Sequence, residues 1–377
     1  MLNKIACQRK RPTSLIISLT NLCTTQCAFC YRRDLHLKPR YFPFETFKSL
    51  LDELGPTLQN LEFSGIGEPT MHSQFREFVL YARQKYPTLK LQLGTNGSLI
   101  ADNLSSFLVE QGFEQVWISL NAATAKTHSL MMPGLDFNKI VQSIVRLREE
   151  RAKACLEKPS IKLTFVVTKA NYTEAEDYLD LGVTLGADKI WVRSLDYLQN
   201  RHIYESQRVS REEFEPILER IEARAKSDNR IQYAPRWAFW PHDFPQPNQI
   251  GAKSIYCPNA QHQFGVYFSS GEVTPCCYMA AYIESPGNCI GNIYEESALQ
   301  IWNGQRAKSL RKSLKKLETA PDICKQCPNY WGKQWKTGKR LTPLTLWKDL
   351  ELLATLYLPT PIKSLLKNTI LRNYKDR

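Results

Sequence analysis

Long apolar runs are what this 377-residue sequence lacks. No stretch approaches the ~18 consecutive apolar residues that a membrane-spanning helix needs. The opening MLNKIACQRKRPTSL carries charge but no apolar h-region, so no signal peptide is read and a cytoplasmic protein is expected. There is no internal repeat and no low-complexity tract. Hydrophobic residues make up 43% of the chain, which argues against disorder. The length allows one large domain plus a smaller one. Cysteine, by contrast, is abundant: eleven residues, an odd number. In a reducing compartment clustered thiols serve metals or catalysis more often than disulfides.

The net charge of +13 is unevenly spread: between Arg306 and Arg340 eleven Lys and Arg face only Glu318 and Asp322. Such a segment attracts anions, whether a phosphorylated substrate, an acidic electron-transfer partner or nucleic acid. A solvated basic helix is the plainer reading.

The first half alternates strand-like and helix-like stretches. Strands are expected at 15–19, 61–64, 90–94, 115–120, 161–167 and 189–193, helices at 44–54, 73–85, 102–111, 137–151 and 172–185. Six such units read as parallel α/β, and six fall short of the eight that close a TIM barrel, so a partial (β/α)6 barrel is expected. A charged helix at 210–227, capped by Ser210, follows. The Pro- and aromatic-rich RWAFWPHDFPQPNQIGAKS reads as a connection. The expected division is an N-terminal segment 1–14, a core 15–240, a small α+β domain 250–340 and a helical tail 341–377.

Residues 19–33, LTNLCTTQCAFCYRR, place Cys23, Cys27 and Cys30 in the loop after the first strand. In parallel α/β folds these loops build the active site. Three thiolates at this spacing can ligate three irons of a [4Fe–4S] cluster. With no fourth cysteine nearby one iron stays open, as a catalytic metal site keeps a position for its substrate. Zinc on the three cysteines with His36 or His72 is the alternative.

This C-x3-C-x2-C stretch, with the aromatic Phe29 before its last cysteine, resembles the signature of the radical S-adenosylmethionine (SAM) enzymes. FSGIGEPT at 63–70 resembles the family's Gly-Gly-Glu-Pro stretch, with Ile66 set between the two glycines. GTNG at 94–97 and SLNAAT at 119–124 end the third and fourth strands in the family's order. The resemblance covers about 14–195. It implies that the open iron chelates the amino and carboxylate groups of SAM, and that reductive cleavage gives a 5′-deoxyadenosyl radical that abstracts hydrogen from a substrate. It implies cofactor-binding places for Phe29, Gly65, Gly67, Glu68, Thr95, Asn96, Ser119 and Asn121. Gly65 and Gly67 would let the backbone approach a ligand, and Glu68 would accept from the SAM ammonium.

Cysteines return at Cys257, Cys276, Cys277, Cys289, Cys324 and Cys327. GVYFSSGEVTPCC reads as a hairpin delivering Cys276, and CKQC supplies a close pair. Four thiolates can close a zinc site or a fully ligated [4Fe–4S] cluster. The pattern resembles the shortened "twitch" form of the SPASM domain, which implies one auxiliary cluster on Cys257, Cys276, Cys324 and Cys327. IGNIYEESALQIWNG fits the same resemblance. No cysteine follows Cys327, so a second auxiliary cluster is not expected.

The expected activity is hydrogen abstraction from a small polar substrate, a sugar or aminocyclitol, giving dehydrogenation or epimerisation. Arg193, His202 or His128 could take a proton, and Cys289 or Cys277 could return a hydrogen atom; Arg193 and Cys289 are the leading candidates. Cys7 and Cys155 read as structural. A flavodoxin or ferredoxin would supply electrons. The alternative is a maturase of a ribosomally made peptide, although no peptide-binding domain precedes the first strand. RNA modification, suggested by Trp331 and Trp335 in the basic stretch, ranks third. A non-catalytic zinc protein is the contrasting class. The amphipathic tail would dock on the core or touch a membrane.

Overall fold

The structure is a computed structural model and describes residues 11–196, 201–241 and 257–327. Cys7, Trp331, Trp335, the end of the basic stretch and the tail 341–377 lie outside the described residues, as does most of the 240–256 connection.

Eight strands form one parallel sheet: β1 (Ser14–Ile17), β2 (Asn60–Phe63), β3 (Lys90–Thr95), β4 (Gln115–Ser119), β5 (Ser160–Val166), β6 (Lys189–Arg193), β7 (Ile231–Tyr233) and β8 (Gln263–Val266). Their order is β7-β6-β5-β4-β3-β2-β1-β8, so consecutive strands are neighbours up to β7 and β8 returns to pair with β1. The six expected strands are all present, and the helices between them fall within a few residues of the expected bounds.

The alternation within these strands explains the barrel. Leu61, Phe63, Leu91, Leu93, Val116, Ile118, Ile161, Leu163, Ile190 and Val192 are fully buried under the surrounding helices. Their alternates Glu62, Gln92, Trp117, Lys162 and Trp191 are only partly buried and line the other face, the lumen. The helix Phe44–Leu54 shows the matching helical spacing, burying Phe47, Leu50, Leu51 and Leu54 on one side. Each such side chain contributes about 1.5–3 kcal/mol by leaving water. Ser210 and Glu213 form the expected capping box at the start of the helix Arg211–Ser227.

The expected hairpin forms: the Gly271 N–H closes its turn on the Phe268 carbonyl at 3.1 Å, and Gly265 and Thr274 pair antiparallel, with the Thr274 N–H on the Gly265 carbonyl at 2.8 Å. Its first half is also β8, paired in parallel with β1. Its second half also pairs as β9 (Glu272–Val273) with β10 (Gly291–Asn292). Four-residue β8 gains a complete ladder on β1, where an isolated hairpin would be marginal. The helix Ala298–Asn303 docks on the barrel through Glu53, whose carboxylate accepts from Ser297 Oγ at 2.8 Å and from the N–H groups of Ala298 and Leu299 at 2.8 and 3.0 Å. A carboxylate on unsatisfied N-terminal amides is the favourable sign for a helix dipole. Among the described residues no helix is long and apolar enough to cross a membrane.

Candidate active site

The loop after β1 carries Cys23, Cys27 and Cys30 and is fastened from three sides. Ser18 Oγ donates to the Ile66 carbonyl at 2.9 Å, and the Glu68 N–H donates to the Leu22 carbonyl at 2.7 Å. Asn96 Nδ2 donates to Thr24 Oγ1 at 2.9 Å and lies 3.7 Å from Cys23 Sγ. Thr25 Oγ1 donates to the Pro133 carbonyl, and the Ala28 N–H to the Met131 carbonyl, both at 2.9 Å. Loops after β2, β3 and β4 therefore set the path of the cysteine loop.

The three thiols are half-buried and electrostatically close to one another. Burial, then the neighbouring Cys30 and Cys23, push the Cys27 thiol up to about 12; burial also raises Cys23 and Cys30. Thiolates crowded in this way need a cation to hold them, and a metal centre deprotonates its thiol ligands outright. The donor set thus fits an iron–sulfur group.

Gly65 and Gly67 have the positive φ that favours glycine, 133° and 115°. Both lie close to the chain's own backbone and side chains. A Cβ on Gly67 would lie 2.2 Å from the Thr20 carbonyl oxygen, and one on Gly65 2.8 Å from Ser18 Cβ. They make room for the chain's own cysteine loop. Glu68 is held in the same region: fully buried, its Oε1 accepts from Thr70 N, Thr70 Oγ1 and Thr95 Oγ1 at 3.2, 2.6 and 2.7 Å, and its Oε2 from Asn96 N at 2.7 Å. Burial still raises its carboxyl above the usual range. At most one lone pair of Oε2 is left for an ammonium.

Asn121 is also committed to the chain. In the left-handed region at φ 57°, it accepts the Val166 N–H at 2.9 Å through Oδ1, and its carbonyl accepts from Asn171 Nδ2 at 2.8 Å. Ser119 ends β4, half-buried beside Thr164. Phe29 packs against the apolar cluster of Leu195, Ile203 and Tyr204.

The proposed proton and hydrogen donors fare less well. Arg193 pairs with Asp196 at 3.3 Å and lies 4.5 Å from the Trp191 ring centre, and a guanidinium has no acceptor for a proton. Cys289 donates its S–H to the Gly291 carbonyl at 3.2 Å. His128 is fully buried against Phe137 with both ring nitrogens unpartnered, and burial lowers its pKa. His202 and His36 are exposed. His72 uses both nitrogens, at 3.0 Å from the Phe42 carbonyl and accepting from Gln74 N at 3.1 Å, which removes it as a zinc ligand.

Cys257, Cys276, Cys324 and Cys327 line one small cavity, together with Ala260, Met279 and Leu314. Among the described residues no three His, Cys, Asp or Glu side chains converge on a single-ion site. Four thiols set around one cavity fit a cluster, which takes one thiolate at each iron. Burial pushes Cys324 up to about 12 and Cys276 well above its usual value. Near the two cysteine sets lie three tyrosines that the sequence reading missed, Tyr267 and Tyr278 buried and Tyr31 half-buried. Tyr31 directly follows Cys30 and faces Cys277 and Cys276, Tyr267 faces the same pair, and the Tyr278 hydroxyl donates to Asp196 at 3.1 Å. Glu62 and Lys162 in the lumen were missed too. Ionisable residues amid the apolar runs LEF and SIKLTFV were the available signal.

Known proteins match this arrangement. The Radical SAM superfamily is matched over residues 17–181, and an iron–sulfur cluster-binding domain, SPASM, over 257–328. The Pyrococcus furiosus protein described as tungsten-containing aldehyde ferredoxin oxidoreductase cofactor-modifying protein is 25% identical over 78% of this chain and 81% of its own length. Mycofactocin maturase MftC of Mycolicibacterium smegmatis is 27% identical over 47% of this chain, and the match spans only 43% of that maturase. Among solved structures, Streptococcus suis SuiB bound to precursor peptide SuiA superposes with a TM-score of 0.63 at 15% identity, over 86% of this chain and 72% of that one. Native anSMEcpe with bound AdoMet gives 0.56 at 18% identity, over 95% and 100%. The chain is a radical SAM enzyme whose barrel is followed by a SPASM-type iron–sulfur domain.

Proposed function

We propose that this enzyme is a maturase that modifies a ribosomally made peptide. Cys23, Cys27 and Cys30 would hold the SAM-binding [4Fe–4S] cluster, and Cys257, Cys276, Cys324 and Cys327 an auxiliary one. In this reading 15–240 form the core and 250–340 the auxiliary domain. The observation that carries it is that the second cysteine site is built onto the first: β8, between Cys257 and Cys276, is hydrogen-bonded to β1, which leads into Cys23. When bound, the first cluster and SAM supply a carbon radical strong enough to take hydrogen from an unactivated C–H bond.

The chain's own residues orient and enclose. Asn96 and the Glu68 network hold the cysteine loop in place. Among the described residues the sheet ends at β7 and β8, which do not pair with each other, and in this reading an extended substrate would enter on that side. MftC is named a maturase and SuiB was solved with a precursor peptide, which favours a peptide over the sugar or aminocyclitol first expected. An electron donor of the flavodoxin or ferredoxin type would serve the clusters.

The long match to a cofactor-modifying protein favours a second reading, a small organic cofactor as substrate. Both are tested by co-expression with the short reading frames beside its gene, followed by mass spectrometry. A SAM-dependent mass change in one encoded peptide is the expected result. Unchanged peptides, with a changed small-molecule cofactor in the same cells, would replace the peptide reading by the second.

A further inference from the structure

The barrel lumen contains charge that the fold does not need. On β2, Leu61 and Phe63 are buried outward and Glu62 lies between them on the lumen face. On β5, Ile161 and Leu163 are buried outward and Lys162 lies between them. Lys162 Nζ sits 3.7 Å from the ring centre of Trp191 on β6 and 5.7 Å from that of Trp117 on β4. Two aromatic faces hold the ammonium, yet no carboxylate or carbonyl oxygen of the described residues accepts from it. Glu62, the carboxylate nearest in charge, makes its hydrogen bond to Ser64 Oγ instead.

A second donor lies in the same lumen wall. Trp117 Nε1 is buried and has no hydrogen-bond partner. Trp117 is the register partner of Lys162 across the β4–β5 ladder, so the two side chains are neighbours on one face. An orphaned buried N–H is costly unless a ligand supplies its acceptor.

The charge balance selects the sign of that ligand. Lys162 feels Arg193 and Lys189 as like charges and Glu62 as its opposite, and Tyr267 faces Glu62 from beyond β8. Asp196 already engages Arg193. Burial first, then Arg193 and Lys189, depress Lys162 to about 7, so its ammonium lacks sufficient negative charge around it.

We propose that Lys162 Nζ and Trp117 Nε1 bind a carboxylate of the substrate inside the barrel. This inference rests on the peptide reading and narrows it: the residue presented to the lumen carries an acidic side chain or is the peptide's C-terminus. The ammonium gives charge, the indole N–H gives direction, and the Trp191 face fixes the lysine's position.

Four tripeptides test it on the full chain, anaerobically reconstituted and with SAM present, by equilibrium dialysis. Ac-Ala-Ala-Glu-NH2 and Ac-Ala-Ala-Gln-NH2 report a side-chain carboxylate; Ac-Ala-Ala-Ala-OH and Ac-Ala-Ala-Ala-NH2 report a terminal one. One acid is expected to bind at least ~10-fold more tightly than its neutral partner, since a desolvated charge-assisted bond is worth that much. Which acid does so identifies the source. Lys162→Met should abolish the difference, Lys162→Arg should keep much of it, and Trp117→Phe should reduce it several-fold. Iron content equal to that of the wild type shows that each variant is folded. Acid and neutral tripeptides binding equally, or a preference that survives in Lys162→Met, would overturn the carboxylate site while leaving a peptide substrate standing. No binding of any tripeptide would overturn the site together with the peptide reading.

Discussion

The carboxylate of Glu68 accepts the backbone N–H of Asn96 at 2.7 Å, tying the turn after β3 to the loop after β2. Asn96 in turn reaches Thr24 at 2.9 Å, inside the cysteine loop. Cluster geometry thus depends on residues that need not touch the cluster.

Glu68→Ala leaves buried donors on Thr70, Thr95 and Asn96 without their acceptor. The expected loss is about 3 kcal/mol of stability, with Glu68→Gln intermediate because it keeps one acceptor oxygen. Thermal unfolding of the reconstituted protein measures the loss. An unchanged melting temperature in Glu68→Ala would show that the network is not structural.

Gly67→Ala should damage one site and spare the other. Its Cβ would meet the Thr20 and Leu22 carbonyl oxygens at 2.2 and 2.7 Å, from a backbone at φ 115° that alanine avoids. Iron at the first site should fall and iron at the second remain, read by iron content in the Gly67→Ala protein with and without Cys324→Ala. Equal loss at both sites would point to global unfolding instead.

Glu62 makes stability depend on pH. Burial raises its carboxyl from 4.5 to about 7, so between those values the folded chain keeps a proton that the unfolded chain releases. Its contribution is present below pH 4.5 and is lost as pH rises through about 7. Relative to wild type, Glu62→Gln should gain on the order of 1–2 kcal/mol as pH goes from 5 to 7. Lys162 titrates from about 7 upward, so the window below it reports Glu62. Melting temperatures at four pH values check this; a constant difference between the two proteins would contradict it.

Much of the site was legible in the sequence, for physical reasons that differ by residue. Cys23, Cys27 and Cys30 are bound by short spacing, which a sequence displays directly. Cys257, Cys276, Cys324 and Cys327 are far apart in sequence, and a family pattern was needed to group them. Glycines 65 and 67 were recognisable as positions of close approach, but a one-dimensional pattern does not say whether ligand or chain approaches. β7 escaped notice because IQY carries little periodicity, and β8 was legible as a hairpin arm but not as a strand of the barrel, because that place is fixed by its partner β1. Lys162 and Trp117 acquire meaning only when adjacent strands bring them together.

Glu53→Ala should loosen the joint between barrel and C-terminal domain. It removes three accepted hydrogen bonds at the start of the helix Ala298–Asn303, worth about 1–2 kcal/mol for a cap of this kind. Limited proteolysis should cut the C-terminal domain sooner than in wild type. Identical cleavage rates would show that the apolar contacts alone hold the domains.

Two separate cysteine sets would hold two clusters, of which only the first would cleave SAM. Iron and sulfide should be measured after anaerobic reconstitution of the wild type and of the Cys23/Cys27/Cys30→Ala variant, with 5′-deoxyadenosine assayed after reduction. About eight iron per chain falling to about four, with 5′-deoxyadenosine formation abolished, is the expected result for two four-iron clusters. Four iron in the wild type, or SAM cleavage that survives in the variant, would contradict it.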